Sequence, residues 1–162
     1  MAYLQAVRNA GENLAALSGL EALHAMIAGR LPAPSMARTL GFTLAEAGEG
    51  WATFVGYPSA DVLNPMGGVH GGWALTLIDS AAGCAAHTLL PADAAYTTVE
   101  TKANFVRAIT PATGAVTAEG RVLAAGRTII TAEARVLDAR GVLLAHGSST
   151  LLVRGAKNEG NA

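Results

Sequence analysis

Asn64-Pro-Met-Gly-Gly-Val-His70-Gly71-Gly72-Trp73, continuing into Ala74-Leu-Thr-Leu-Ile-Asp79-Ser-Ala-Ala-Gly83, decides how this chain is read. A polar, glycine-rich loop runs straight into an alanine-rich apolar helix. Glycine lets a backbone come close to a ligand, and a first helical turn offers unpaired N–H groups at the positive end of the dipole. Asp79 follows Gly71 by eight residues and is the sole acid of that helix. A carboxylate on an apolar helix is costly unless it is paired or used. One short segment therefore carries donors for a developing negative charge and a group able to attack or activate water. Those are the needs of acyl chemistry.

The helix is predicted from Gly71 to about Leu90, where Pro91 stops it. Leu75, Ile78, Ala82, Ala86 and Leu89 make one apolar face, while Ala81, Gly83 and Ala85 keep the rod slim all round. Something else should wrap it. Downstream, residues 97–107, 114–124, 128–137 and 142–153 read as strands. In the third of these, Ile130, Ala132, Ala134 and Val136 alternate with Thr131, Glu133 and Arg135. Gly126-Arg127 and Asp138-Ala-Arg-Gly141 read as hairpin turns. Upstream, residues 40–46 and 51–57 are two further short strands around Gly48-Glu-Gly50. Residues 2 to about 30 read as helix in two pieces, with capping-box spacing at Ser18-Gly-Leu-Glu21 and an end before Pro32. Helix, two strands, long helix, four strands is an α+β order: an antiparallel sheet curled about one helix.

Composition narrows the function. The chain has 162 residues, 51% hydrophobic and 14% charged, with a net charge of −1. Its mean hydropathy is +0.35. No basic stripe is present to release counterions from nucleic acid. The single cysteine, Cys84, excludes a disulfide framework and any multi-cysteine metal site; within an apolar helix it reads as a small buried hydrophobe. No stretch reaches the ~18 apolar residues of a membrane span, and Arg8, Glu12 and Glu21 interrupt any signal-peptide run. A cytoplasmic, low-charge protein that associates with copies of itself is the expectation. No Walker loop, nucleotide-binding glycine fingerprint, His-Glu-x-x-His or Gly-x-Ser-x-Gly occurs.

Asn64, His70, Gly71, Gly72 and Asp79, so spaced, resemble the hotdog-fold acyl-CoA thioesterases of the PaaI (phenylacetic acid degradation) type. The similarity extends to Thr98-Val-Glu-Thr-Lys-Ala-Asn-Phe-Val-Arg107, to the Gly126-Arg127 hairpin, to Ala145-His-Gly-Ser-Ser-Thr150 and to the segment from Gly19 to Gly41. It implies a hotdog dimer, commonly paired into a tetramer, that hydrolyses an acyl-CoA without a metal or other cofactor, coenzyme A being part of the substrate. By position it implies that Asp79 is the catalytic acid and that the Gly71 N–H polarises the thioester carbonyl. Asn64 matches a loop residue holding substrate or water, and Thr98 a hydroxyl near the attacking group. On this reading residues 1–33 are a helical arm, 34–154 the hotdog thioesterase domain and 155–162 a flexible tail.

Asp79 reads as nucleophile or general base, and spacing does not choose between them. His70 reads as a residue pinning the loop, ahead of one transferring protons. Gly72, Trp73 and Met66 are expected against the substrate, with Trp73 shaping the acyl pocket for an apolar or aromatic group. Arg127, Ser148 and Ser149 are candidates for contacts with coenzyme A. His24, His87 and His146 have no partner at ligand spacing and read as surface or packing residues. An aryl- or medium-chain acyl-CoA thioesterase is the leading expectation. A hotdog hydratase or dehydratase, with His70 and Asp79 as acid and base, and a non-catalytic acyl-CoA-binding regulator are the alternatives. Eight helical residues span about 12 Å, whereas a reacting carbon needs its attacking atom within roughly 3 to 3.5 Å. Gly71 and Asp79 of one chain therefore cannot serve one carbonyl. A two-fold dimer with composite sites is expected.

Overall fold

The computed structural model describes residues 5–6, 10 and 13–155. Two short helices, α1 (Gly19–Ile27) and α2 (Ser35–Leu40), precede the hairpin of β1 (Phe42–Gly48) and β2 (Trp51–Gly56). The long helix α3 (Gly71–His87) follows, and then β3 (Ala95–Phe105), β4 (Val116–Ala125), β5 (Ile129–Asp138) and β6 (Leu143–Arg154). The six strands form one antiparallel sheet in the order β1-β2-β4-β5-β6-β3. Tight turns make neighbours of β1 and β2, of β4 and β5, and of β5 and β6. Only the crossing through α3 carries the chain to the far edge, where β3 lies beside β6. Five strands pack on α3, and β1 touches it as well. This is the hotdog arrangement, a sheet wrapped around a helix.

Alternation and helix composition explain the wrapping. On β5, Ile130, Ala132, Ala134 and Val136 are buried against α3, as the pattern predicts. On α3, Trp73, Ala74, Leu77, Ile78, Ala81, Ala82, Ala85 and Ala86 are all buried, so no single stripe faces the core. Fully burying a side chain such as Leu77 or Ile78 contributes roughly 1.5 to 3 kcal/mol. Small residues on both partners set the close approach. A Cβ on Gly120 of β4 would lie 2.1 Å from the Ala81 carbonyl oxygen. That strand position therefore excludes even alanine unless helix or sheet moves.

The N-terminal arm is capped at its start and fastened to the body at two points. Ser18 and Glu21 form the expected capping box at the start of α1. The Gly19 N–H donates to the Leu90 carbonyl just past the end of α3, and the His24 ring bonds the Ala47 carbonyl of β1 at 2.9 Å. His87, in the last turn of α3, tilts against the Tyr96 ring, and its Nδ1 is buried without a partner among the described residues. Burial holds the His87 pKa below its ordinary value.

The expected strands and α3 are present, with ends shifted by one to three residues. α2 was not expected. Pro34 at its N-cap and the left-handed Gly41 at its end make a six-residue turn too short to show periodicity. The part of the expected N-terminal helix before residue 13 falls almost wholly outside the described residues, and so does the tail from 156. Among the described residues no helix is long and apolar enough to cross a membrane.

Two outcomes follow from this packing. Gly120→Ala will lower stability by about 1 to 3 kcal/mol, measured as a reduced urea midpoint at unchanged slope. Because His87 binds its proton less readily when folded, the unfolded chain protonates first as pH falls through about 6.5. Stability is therefore full above that pH and is lost below it. Glu21 and Asp138, whose pKa values are lowered, act only nearer pH 4. Urea titrations between pH 7.5 and 5.5 will show this slope in the wild type and a smaller one in His87→Gln.

Candidate active site

The loop before α3 is built on its own backbone. Asn64 Oδ1 accepts from the N–H groups of Met66 (2.9 Å) and Gly68 (3.2 Å), and the Asn64 N–H donates to the Gly68 carbonyl. His70 is the N-cap of α3, and its Nδ1 accepts from the Gly72 N–H at 2.9 Å. That bond requires Nδ1 to be unprotonated, so His70 is the loop pin that the sequence favours. The Trp73 N–H reaches the His70 carbonyl. The Gly71 N–H, in the same first turn, has no acceptor among the described residues. It opens toward a cavity of about 330 Å³ lined by Asn64, His70, Gly71, Phe105, Arg107 and Leu144, among others. A Cβ on Gly71 would press on the Phe105 ring at 3.1 Å, so glycine keeps the approach to this N–H open.

Asp79 lies elsewhere. Thr101 Oγ1 donates to Asp79 Oδ1 at 2.9 Å, and the buried Ser149 hydroxyl lies 2.9 Å from Thr101 Oγ1. A threonine has one hydroxyl proton; spent on Asp79, it leaves Ser149 as donor to Thr101. This two-step chain fixes one carboxylate oxygen and leaves Oδ2 without a partner among the described residues. Asp79 lines a second cavity of about 550 Å³, beneath the N-terminal arm, together with Ser80, Cys84, His87 and Tyr96. Burial pushes the Cys84 thiol up to about 12, and the Asp79 charge adds to it. The thiol is inert at neutral pH, as a buried small side chain should be. Burial likewise raises the Tyr96 phenol, helped by Cys84 and Asp79.

The structure thus gathers Asn64, His70 and Gly71 at one cavity and Asp79 at another. Other candidate positions are corrected. The hydroxyl at Asp79 belongs to Thr101, not Thr98; a bulge between Thr98 and Glu100 turns both threonines to the inner face, but Thr101 is the one that reaches the carboxylate. Trp73 does not shape an acyl pocket. It is 3% exposed, packs under Gly56 in the core, and its Nε1–H donates to the Leu40 carbonyl at 2.8 Å, tying α3 to α2. The Gly72 N–H is consumed by His70. Ser149 is buried behind Thr101, where it supports the carboxylate rather than meeting solvent. Met66 is 88% exposed, Arg127 sits on the exposed β4–β5 turn, and Ser148 is on the outer sheet face; none of the three lines either cavity. Among the described residues, no three His, Cys, Asp or Glu side chains are grouped to hold a metal.

Comparison with known proteins identifies the family. The thioesterase superfamily model matches residues 66–145, from within the loop through α3 to the start of β6. A solved protein from the thioesterase superfamily is 31% identical, with 85% of this chain and 100% of that chain covered and a TM-score of 0.68. A thioesterase family protein from Silicibacter pomeroyi is 25% identical, with 81% and 97% covered and a TM-score of 0.72. A phenylacetic acid degradation-related putative thioesterase from Ralstonia eutropha shares the fold at 23% identity, 80% and 98% coverage and a TM-score of 0.73. No curated protein sequence matches this chain. With that superfamily protein 31% identical over its whole length and the family model matched, the chain belongs to the thioesterase superfamily and is a thioester hydrolase.

Proposed function

We propose that the protein hydrolyses acyl-CoA thioesters of aryl or medium-chain acids at two composite sites of a homodimer. Each site combines Gly71 and Asn64 of one protomer with Asp79 of the other. The observation that carries this reading is the separation within one chain: the Gly71 N–H and Asp79 line different cavities and stand about 12 Å apart along one rigid helix. The β3 strand favours such a pairing, because it ends the sheet and Val99 and Phe105 on it are more than half exposed. An unpaired strand edge is a template for another chain.

In this mechanism the thioester carbonyl oxygen accepts from the Gly71 N–H, with the Asn64 amide beside it. The partner's Asp79, held through Oδ1 by Thr101, uses its other oxygen to attack the carbonyl carbon or to take a proton from water. As the tetrahedral centre forms, negative charge grows on the oxygen facing Gly71, where the donor is already aligned and needs no reorganisation. The leaving thiolate departs toward the mouth of the loop cavity, where Arg107 lines the wall and offers a positive charge to the coenzyme. His70 positions the loop, which favours hydrolysis over a hydratase reaction that would need it as a proton carrier.

Thiol release from a panel of acyl-CoAs tests the roles. Asp79→Asn should lower kcat at least about a hundredfold. Gly71→Pro removes the N–H and suits the first helical position, but also sets a ring against Phe105, and should cost at least about a hundredfold in kcat/KM. Thr101→Val should lower kcat by a smaller factor. Wild-type turnover of acyl-CoAs with Asp79→Asn retaining nearly full rate would overturn the assignment.

A further inference from the structure

We propose that the N-terminal arm sets the size and charge of the acyl group, with Met26 as the residue that measures it. This rests on the thioesterase reading above and goes beyond it. The 550 Å³ cavity that begins at Asp79 is not closed by the sheet alone. Its far wall is built by Leu23, Met26 and Ile27 of α1 and by Pro34, Met36 and Ala37 around the start of α2. All of these precede residue 66, where the match to the superfamily begins. The family model spans Gly71 and Asp79 but not this wall.

The helix side of the cavity gives it a direction. Asp79, Ser80, Cys84 and His87 follow one another along α3, so the space runs from the carboxylate toward the C-terminal end of the helix. From Asp79 to His87 is eight residues, or about 12 Å. An acyl group whose carbonyl carbon stands at Asp79 therefore extends along α3 and under α1. Met26 is the adjustable part of that roof. Leu23 is 2% exposed and holds α1 down, whereas Ile27 and Met36 are 41% and 56% exposed. Met26 is half-buried, on the cavity wall, and unbranched, so its side chain fills or vacates space without moving the helix. The Gly19–Leu90 and His24–Ala47 bonds fix the arm ahead of it, and Leu31, 2% exposed, buries the chain beyond it. A change of side-chain volume there is passed to the ligand rather than absorbed by the arm.

Charge selects as well. Among the described residues no lysine or arginine lines this cavity, its histidine is held neutral by burial, and its one carboxylate is Asp79. A second carboxylate on the acyl group would be desolvated beside a like charge with no cation to offset it. The site therefore takes uncharged, apolar acyl groups and rejects dicarboxylic acyl-CoAs such as succinyl- or glutaryl-CoA.

The test is kcat and KM for the full-length wild type, Met26→Ala, Met26→Leu and Met26→Trp on acetyl-, hexanoyl-, decanoyl- and glutaryl-CoA. The decanoyl-to-acetyl ratio of kcat/KM should fall at least about tenfold in Met26→Trp and rise about threefold in Met26→Ala, with Met26→Leu close to wild type. Glutaryl-CoA should be turned over at least about tenfold less efficiently than hexanoyl-CoA. If Met26→Trp does not fold by circular dichroism, the Met26→Ala ratio decides. Wild-type turnover with all chain lengths rescaled by one common factor, or left alone, in these variants would overturn the arm's role while leaving the thioesterase reading intact. No wild-type turnover of any acyl-CoA would overturn both.

Discussion

Two reactive groups fixed on one rigid rod, too far apart to meet, are the constraint behind this molecule. Residues 71 and 79 belong to the same helix, and no rotamer change brings a backbone amide and a carboxylate together across about 12 Å. The surrounding structure keeps them apart. Loop hydrogen bonds through Asn64 and His70 aim one end at the first cavity. Thr101 and Ser149 hold the other end at the second. In the proposed mechanism a working centre takes its complementary half from a neighbour, and two-fold symmetry supplies two such centres at once.

A slim helix makes this architecture possible. Alanines on α3 meet alanines on β4 and β5, and at Gly120 the strand backbone almost touches the helix carbonyl. Sheet and helix thereby lock at a distance that bulkier residues would not allow. The sheet is used up in surrounding the helix, and at its ends β1 and β3 do not pair with each other. Beneath the N-terminal arm, α3 lines a cavity bounded by residues of both end strands, Phe42 and Leu44 of β1 and Tyr96 of β3. Asp79 is on that part of α3, which is why a charged group survives on so apolar a helix. Its negative charge is felt there: Cys84 and Tyr96 are both harder to ionise for its presence.

Much of this was legible before any coordinates. Period-two alternation placed β5 almost residue for residue, since one face is buried and a one-residue slip would expose it. Spacing also placed the lone aspartate on the helix and the histidine at its N-cap, after the glycine loop. What was not legible has identifiable causes. The Thr98-to-Thr101 correction hangs on a β-bulge, which changes strand parity without any sequence punctuation. Trp73 reads as a pocket residue by adjacency, but an indole with a reachable carbonyl at Leu40 is satisfied in the core. Ser149 reads as a candidate for coenzyme contact, yet cross-strand pairing with Thr101 buries it. The arm's role in walling a cavity depends on long-range packing of α1 on β1 and α3, to which local periodicity is blind.

The most direct test of the composite centre is complementation between two inactive chains. Asp79→Asn and Gly71→Pro protomers, carrying different affinity tags, are produced together and mixed dimers are isolated by both tags. In such a dimer one centre receives both lesions and the other receives none. The account predicts that thiol release recovers to about half the wild-type rate per dimer, far above either parent. Mixed dimers no more active than the two parents would contradict it, because each chain would then have to complete its centre alone.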